Sequence, residues 1–310
     1  MDTIEYAANI ANKMSIMGNV LGHGTVAIYM IQRFFQIVSA EMNGLERDFV
    51  LQSFFPQIFK ATPNYHLVCL SQLVGGFMIT ACYVSIDCLI YMLMFNVCAQ
   101  LQILRKELYQ VINSLGAEQF PEEFQKAISI VVKKHEHLNW CVATVEDCFN
   151  FCYLVQAALS TLLICFQAFM TFQVIIIDFY WWKIPCVKRL KIILSSSQAM
   201  AISDSFPVND IMFLVVYITV ILLLIYFFCY MGETLIASSS ELSNGIFESN
   251  WYSLSPRNLK MLMFIVLRCK TPLQLTAGKF YVFSMETYTN IVKAAAGYFS
   301  VMVQLETGRQ

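Results

Sequence analysis

Apolar residues gather along the chain into five long runs: Met14 to Val38, Leu67 to Val97, Cys148 to Ile177, Ile211 to Met231 and Phe280 to Leu305. Each supplies the roughly 20 mostly apolar residues that a helix needs to cross a bilayer core. The fourth run has no charge and is opened by Pro207, Asn209 and Asp210, residue types suited to a helix entry and cap. The first is the weakest, because it holds His23, Gln32 and Arg33.

The pattern changes between the second and third runs. Leu101, Leu104, Leu108, Val111 and Leu115 recur at three- and four-residue spacing with Arg105, Lys106 and Glu107 between them, which predicts an amphipathic helix continuing out of the membrane. Gly116 and Pro121 break it. Ile128, Val131, His135, Leu138, Val142, Val145 and Phe149 then repeat the device on the return leg, so two such helices are expected to pack together beneath the bilayer. GETLIASSSELSNGIFESNWYSL and NLKMLMFIVLRC, after the fourth run, add further pieces. The expected architecture is all-α: one polytopic membrane helix bundle over 1–310, with cytoplasmic helical extensions over about 98–147 and 232–279.

Composition agrees with this pattern. Of 310 residues 58% are hydrophobic and 13% charged, and mean hydropathy is +0.59, too little charge for a soluble surface of this size. A net charge of -1 offers no basic face for phosphate contacts, so no nucleic-acid partner is expected; the surrounding partner is membrane lipid. No charged leader with a short apolar core precedes the first run, which is therefore expected to insert by itself. The loops after the second and fourth runs carry ten Lys and Arg (Arg105, Lys106, Lys126, Lys133, Lys134, Arg257, Lys260, Arg268, Lys270, Lys279), against six in the other two (Arg47, Lys60, Lys183, Lys188, Arg189, Lys191). Positive charge stays inside, so the N-terminus is expected in the cytoplasm and the C-terminus outside, the wrong parity for a G-protein-coupled receptor.

Catalytic chemistry has no foothold. No nucleophile elbow, phosphate loop or carboxylate pair occurs, and an enzyme is not expected. The 11 cysteines are scattered without C-x-x-C spacing, and His135 and His137 fall on different faces of a helix, so neither a metal nor another cofactor is expected. Asp87 is a single acid within the second run; a carboxylate bonded to a neighbouring helix and a functional group are both open readings. The stretch from Ile175 to Pro207 is either an insertion or, through Trp181 and Trp182, an interfacial anchor.

The last run is polar for a membrane span. Glu286, Asn290, Lys293, Gly297, Ser300 and Gln304 follow one another by three or four residues and so form one line along a helix. Charges in a span cost at least about 2.5 kcal/mol near its centre and usually face a bundle interior or an aqueous path. Two readings stay open: a wall facing water, or pairing along the helix and bonding to neighbouring helices.

Gly232 and Glu233, Trp251 and Tyr252, RCKTPLQLTAGKF, SMETYTNIVKAAAGYF and the closing VMVQL together closely resemble the C-terminal signature of insect odorant receptors. In the second run and the residues flanking it, Tyr65, Gln72, Asp87, Gln100 and Leu104 fall in the order of that family's fourth helix, and the His135 region is similar to its intracellular loop. The resemblance runs from about Pro63 to Leu305. The five runs would then match the third to seventh of seven helices, which preserves the parity derived from the loops and makes the chain look N-terminally short. The stretch from Ile175 to Pro207 looks longer than the family's loop.

This resemblance implies a tuning receptor of the plasma membrane of olfactory sensory neurons. It would be a subunit of a ligand-gated, non-selective cation channel, a hetero-tetramer with the odorant receptor co-receptor, opened by small volatile organic molecules. By motif, Val301 and Leu305 would stand at the hydrophobic gate and Gln304 at the polar ring, with Lys293, Asn290 and Glu286 along the pore wall. The family's ligand pocket would fall on Tyr29, Leu73, Phe77, Met78, Phe213 and Tyr217. A gustatory receptor-like channel, whose tails are similar, and a non-conducting membrane protein or transporter are the alternatives.

Overall fold

The computed structural model describes residues 2–42, 49–51, 64–115, 121–183 and 208–307. Six helices dominate them: α1 Asp2–Met42, α2 Asn64–Leu115, α3 Pro121–Lys183, α4 Val208–Phe247, α5 Pro256–Cys269 and α6 Met285–Thr307. Each of α1 to α4 contains a segment long and apolar enough to cross a membrane. Large apolar side chains such as Leu70, Ile79, Leu89, Phe151, Leu162 and Phe166 point outward from them, as lipid-facing residues would. The second run and its amphipathic continuation form one helix of 52 residues, and the return leg and third run form another of 63. Residues 184–207, which hold most of the Ile175 to Pro207 stretch, lie outside the described residues.

Two compact units divide the chain. The first combines 1–19, 83–158 and 224–290; the second combines 20–82, 159–223 and 291–310. In the first unit the extramembrane parts of α2, α3 and α4 enclose a core with α5. Leu104, Leu108 and Ile112 meet Phe124, Ile128, Val131, Leu242 and Ile246, and Leu262, Ile265 and Cys269 close the cluster from α5. These are the amphipathic positions at helical spacing, so the pattern that ends each membrane span also begins the bundle core. Helix α5 starts from Ser255, whose side chain accepts the Asn258 N–H, with Pro256 in its first turn.

In the second unit α1 is held to the short segment beside α2. The Arg33 guanidinium donates to the carbonyls of Phe49 and Val50 at 3.1 Å each, and Gln72 exchanges hydrogen bonds with the Leu51 backbone. Gly76 lets Met30 approach, since a Cβ there would stand 3.0 Å from the Met30 methyl.

Candidate functional site

Helix α6 begins at Met285, five residues later than the apolar run suggests. Before it, Thr276–Ala277 pairs antiparallel with Tyr281–Val282, so Phe280 to Val282 belong to a hairpin and not to the span. Gly278 and Lys279 both have positive φ, 62° and 63°, which is the backbone of a tight hairpin turn. Two distant helices hold this hairpin and the residues leading into it. Thr276 donates its N–H to Glu146 of α3 at 2.8 Å and its hydroxyl to the same carboxylate, and the Gly278 N–H donates to the Asn150 carbonyl at 2.8 Å. Leu273 N–H donates to Ser239 Oγ of α4 at 3.0 Å. Phe283 is buried against Tyr153 of α3 and Phe228 of α4, with ring centroids 5.3 and 5.9 Å away.

The start of α6 is capped at two of its first-turn N–H groups. Ser284 accepts the Thr287 N–H at 3.2 Å, and Glu233 of α4 accepts the Met285 N–H at 3.1 Å. Glu146 and Glu233 therefore position the last helix; Glu146 was not singled out by the sequence, because its partner lies 130 residues away. The signal available was Gly-Lys between short apolar stretches, a hairpin turn chemistry.

The 23 residues of α6 extend about 34 Å, enough for a bilayer core. Glu286, Asn290, Lys293, Gly297, Ser300, Val301 and Gln304 are all exposed. From Val292 to Val301 every described side chain except Ala295 is exposed, and nothing comes within 4 Å of a Cβ built on Gly297. Among the described residues no ion pair joins Glu286 to Lys293. Leu305 lies in α6, with its side chain outside the described set.

Of the six expected ligand residues, three come together in the second unit. Tyr29 and Phe213 have ring centroids 5.7 Å apart, and Tyr217 stacks on Phe213 at 6.0 Å. Phe77 stacks instead on His23, at 6.2 Å. Leu73 and Met78 face outward. Asp87 is buried in the first unit, on the same face of α2 as Tyr83 and Tyr91, and no hydrogen bond to it occurs among the described residues.

A groove of about 380 Å³ lies between the extramembrane parts of α2 and α3, lined by Asn96, Gln100, Glu107, Lys134, His137 and Cys141 among others. Lys134 bridges to Glu107 across it at 2.7 Å. No group of His, Cys, Asp and Glu suited to a metal occurs among the described residues.

These long apolar helices, with an extramembrane bundle built from their own extensions, define a multi-pass membrane protein. A family model for the 7tm Odorant receptor matches residues 5–179 and 191–296, and the chain belongs to that family, which is one of receptors and not of enzymes. The match starts well before Pro63, so the likeness extends through α1, and it passes over 180–190. Among relatives, Odorant receptor 9a of Drosophila melanogaster is 22% identical over 217 residues, 70% of this chain and 46% of that protein. The Odorant receptor coreceptor of Drosophila melanogaster is 24% identical over 183 residues, 59% of this chain and 31% of that protein. The chain thus spans less than half the length of the curated relatives it matches. The insect olfactory receptor OR5 from Machilis hrabei, solved in complex with eugenol, shares the fold at a TM-score of 0.75 and 14% identity, over 98% of this chain and 69% of that one.

Proposed function

We propose that this chain is an odorant-gated subunit of a non-selective cation channel, assembled as a hetero-tetramer with the odorant receptor co-receptor in the plasma membrane of olfactory sensory neurons. The observation that carries the reading is α6: a helix of membrane length whose polar positions Glu286, Asn290, Lys293, Gly297, Ser300 and Gln304 are all exposed among the described residues. Ionisable residues avoid lipid, so such a face calls for water and for equivalent helices of other subunits around it. In that ring Val301 and Leu305 form the hydrophobic constriction that blocks ions by dewetting, Gln304 supplies polar groups beside it, and Lys293, Asn290 and Glu286 line the approach. The N-terminus is cytoplasmic and the C-terminus extracellular, following the Lys and Arg bias.

The ligand is a small volatile organic molecule. Tyr29, Phe213 and Tyr217 form its aromatic floor, with Leu73, Phe77 and Met78 at the margin, because an apolar odorant is recognised by shape and aromatic surface. That OR5 was solved with eugenol supports a ligand of this class. Family membership favours this reading over the gustatory receptor-like channel and the transporter. The test is patch-clamp recording from cells co-expressing the chain and a co-receptor, challenged with a mixture of 1-octanol, ethyl acetate and eugenol. Evoked cation current is expected, with gating or ion selectivity altered in Val301→Ala and Gln304→Ala; unaltered gating and selectivity in both variants would refute the pore assignment.

A further inference from the structure

Helix α4 is continuous from Val208 to Phe247 and carries Phe213 and Tyr217 near one end. Fifteen and sixteen residues beyond Tyr217 the same helix carries Gly232 and Glu233. There the helix meets the beginning of α6 twice. The Phe283 carbonyl oxygen sits so close to Gly232 that a Cβ there would stand 2.2 Å from it and 2.7 Å from the Phe283 Cβ. Immediately afterwards the Glu233 carboxylate accepts the Met285 N–H, one of the first-turn donors that a helix leaves without a partner of its own. A carboxylate at this position also meets the positive end of the α6 dipole.

The two contacts constrain different motions. Main chain packed against a side-chain-free position limits approach and tilt. A charge-assisted hydrogen bond resists separation and sliding along the axis. Glu146 fixes the other end of the same segment to α3 through Thr276. The start of α6 therefore cannot shift independently of α4 unless the Glu233 bond opens.

We propose that Glu233 is a positioning residue for gating: through its bond to the Met285 N–H, displacement of α4 by an odorant at Phe213 and Tyr217 is passed to the first turn of the pore helix. This rests on the channel reading given above. It adds a named mechanical link between the ligand residues and α6 that neither pore nor pocket substitutions would reveal.

The test uses the full chain co-expressed with a co-receptor, the same odorant mixture, and surface biotinylation to fix the amount of receptor. Glu233→Ala is expected to raise the half-maximal odorant concentration about threefold or more at unchanged surface level and ion selectivity. Glu233→Gln keeps an acceptor oxygen and is expected to fall between it and the parent. An unchanged concentration dependence in Glu233→Ala overturns the proposal while leaving the channel reading intact. Absence of current from the parent chain overturns the channel reading instead. Hydrogen exchange on the purified chain in detergent then decides the latch by itself: exchange at Met285–Thr287 about fivefold faster in Glu233→Ala supports it, and equal exchange overturns it.

Discussion

The guanidinium of Arg105 grips both carboxylate oxygens of Glu248, at 2.7 and 2.8 Å, and also reaches Glu241 at 3.3 Å. The bond to Glu248 holds Arg105 more firmly protonated than usual, and α2 is thereby tied to the end of α4 outside the membrane spans. Because all three side chains are partly open to solvent, the tie is worth at most about 1 kcal/mol. Arg105→Ala is expected to cost about that much in thermal melts of the purified protein, and Arg105→Lys to recover part of it: one guanidinium nitrogen makes both Glu248 bonds, as the Lys134 ammonium does to Glu107, while the bond of the second nitrogen to Glu241 is lost. Gly245→Ala is expected to cost more than either. Its Cβ would stand 3.0 Å from the Arg105 carbonyl oxygen, which cannot rotate away as a side chain can.

The bundle core sets a sharper contrast. Leu108 and Leu242 are wholly buried, on α2 and α4, in the cluster that α5 closes. Truncating either to Ala removes buried methyl groups and leaves a cavity, at about 2–5 kcal/mol. Ile130, on the same stretch of α3 but 55% exposed, is expected to change stability by about 0.5 kcal/mol or less when made Ala. Denaturant melts that show equal losses at Leu108 and Ile130 would contradict this packing.

His135 gives the bundle a pH dependence. Burial lowers its pKa below the ordinary 6.5, Arg268 of α5 lowers it further, and Glu136 opposes both. A folded pKa below the unfolded one means that stability is intact above about 6.5 and falls as pH drops towards the folded value, because only the unfolded chain takes up the proton in that window. The expected result is a Tm that declines as pH falls below about 6.5 and a flatter profile in His135→Gln. The same decline in His135→Gln would assign the effect to other groups.

How much of this could be read from the sequence depended on how local its cause was. The helical repeat of Leu101, Leu104 and Leu108, and of Ile128 and Val131, is set by residues within a turn of each other, and all five are buried where the repeat implies. The polar line of α6 was legible for the same reason. The start of that helix was not. Phe280, Tyr281 and Val282 are apolar, and a short apolar stretch does not distinguish strand from helix. What bends it into a hairpin is the positive-φ pair at Gly278 and Lys279 together with Glu146, whose partner lies 130 residues away. Likewise, the family resemblance put Leu73, Phe77 and Met78 on one helix as ligand candidates. Only the pairing of elements showed Phe77 turned to His23 and the other two turned outward.

That division among the six ligand candidates yields a prediction that packing alone would not make. Phe213 touches both Tyr29 and Tyr217, so its removal opens the centre of the aromatic cluster. Aromatic pairs contribute about 0.5–1.5 kcal/mol beyond the area they bury, and an odorant bound against Phe213 would lose contact with the ring itself as well. Phe213→Ala is therefore expected to raise the half-maximal odorant concentration about tenfold. Met78 is 61% exposed, and Met78→Ala is expected to leave that concentration within about twofold of the parent. Dose–response recordings of both variants beside the parent chain, at matched surface level, check the pair together. If Met78→Ala shifts the response and Phe213→Ala does not, the odorant binds on the outward face of α2, and the Tyr29–Phe213–Tyr217 cluster is helix packing only.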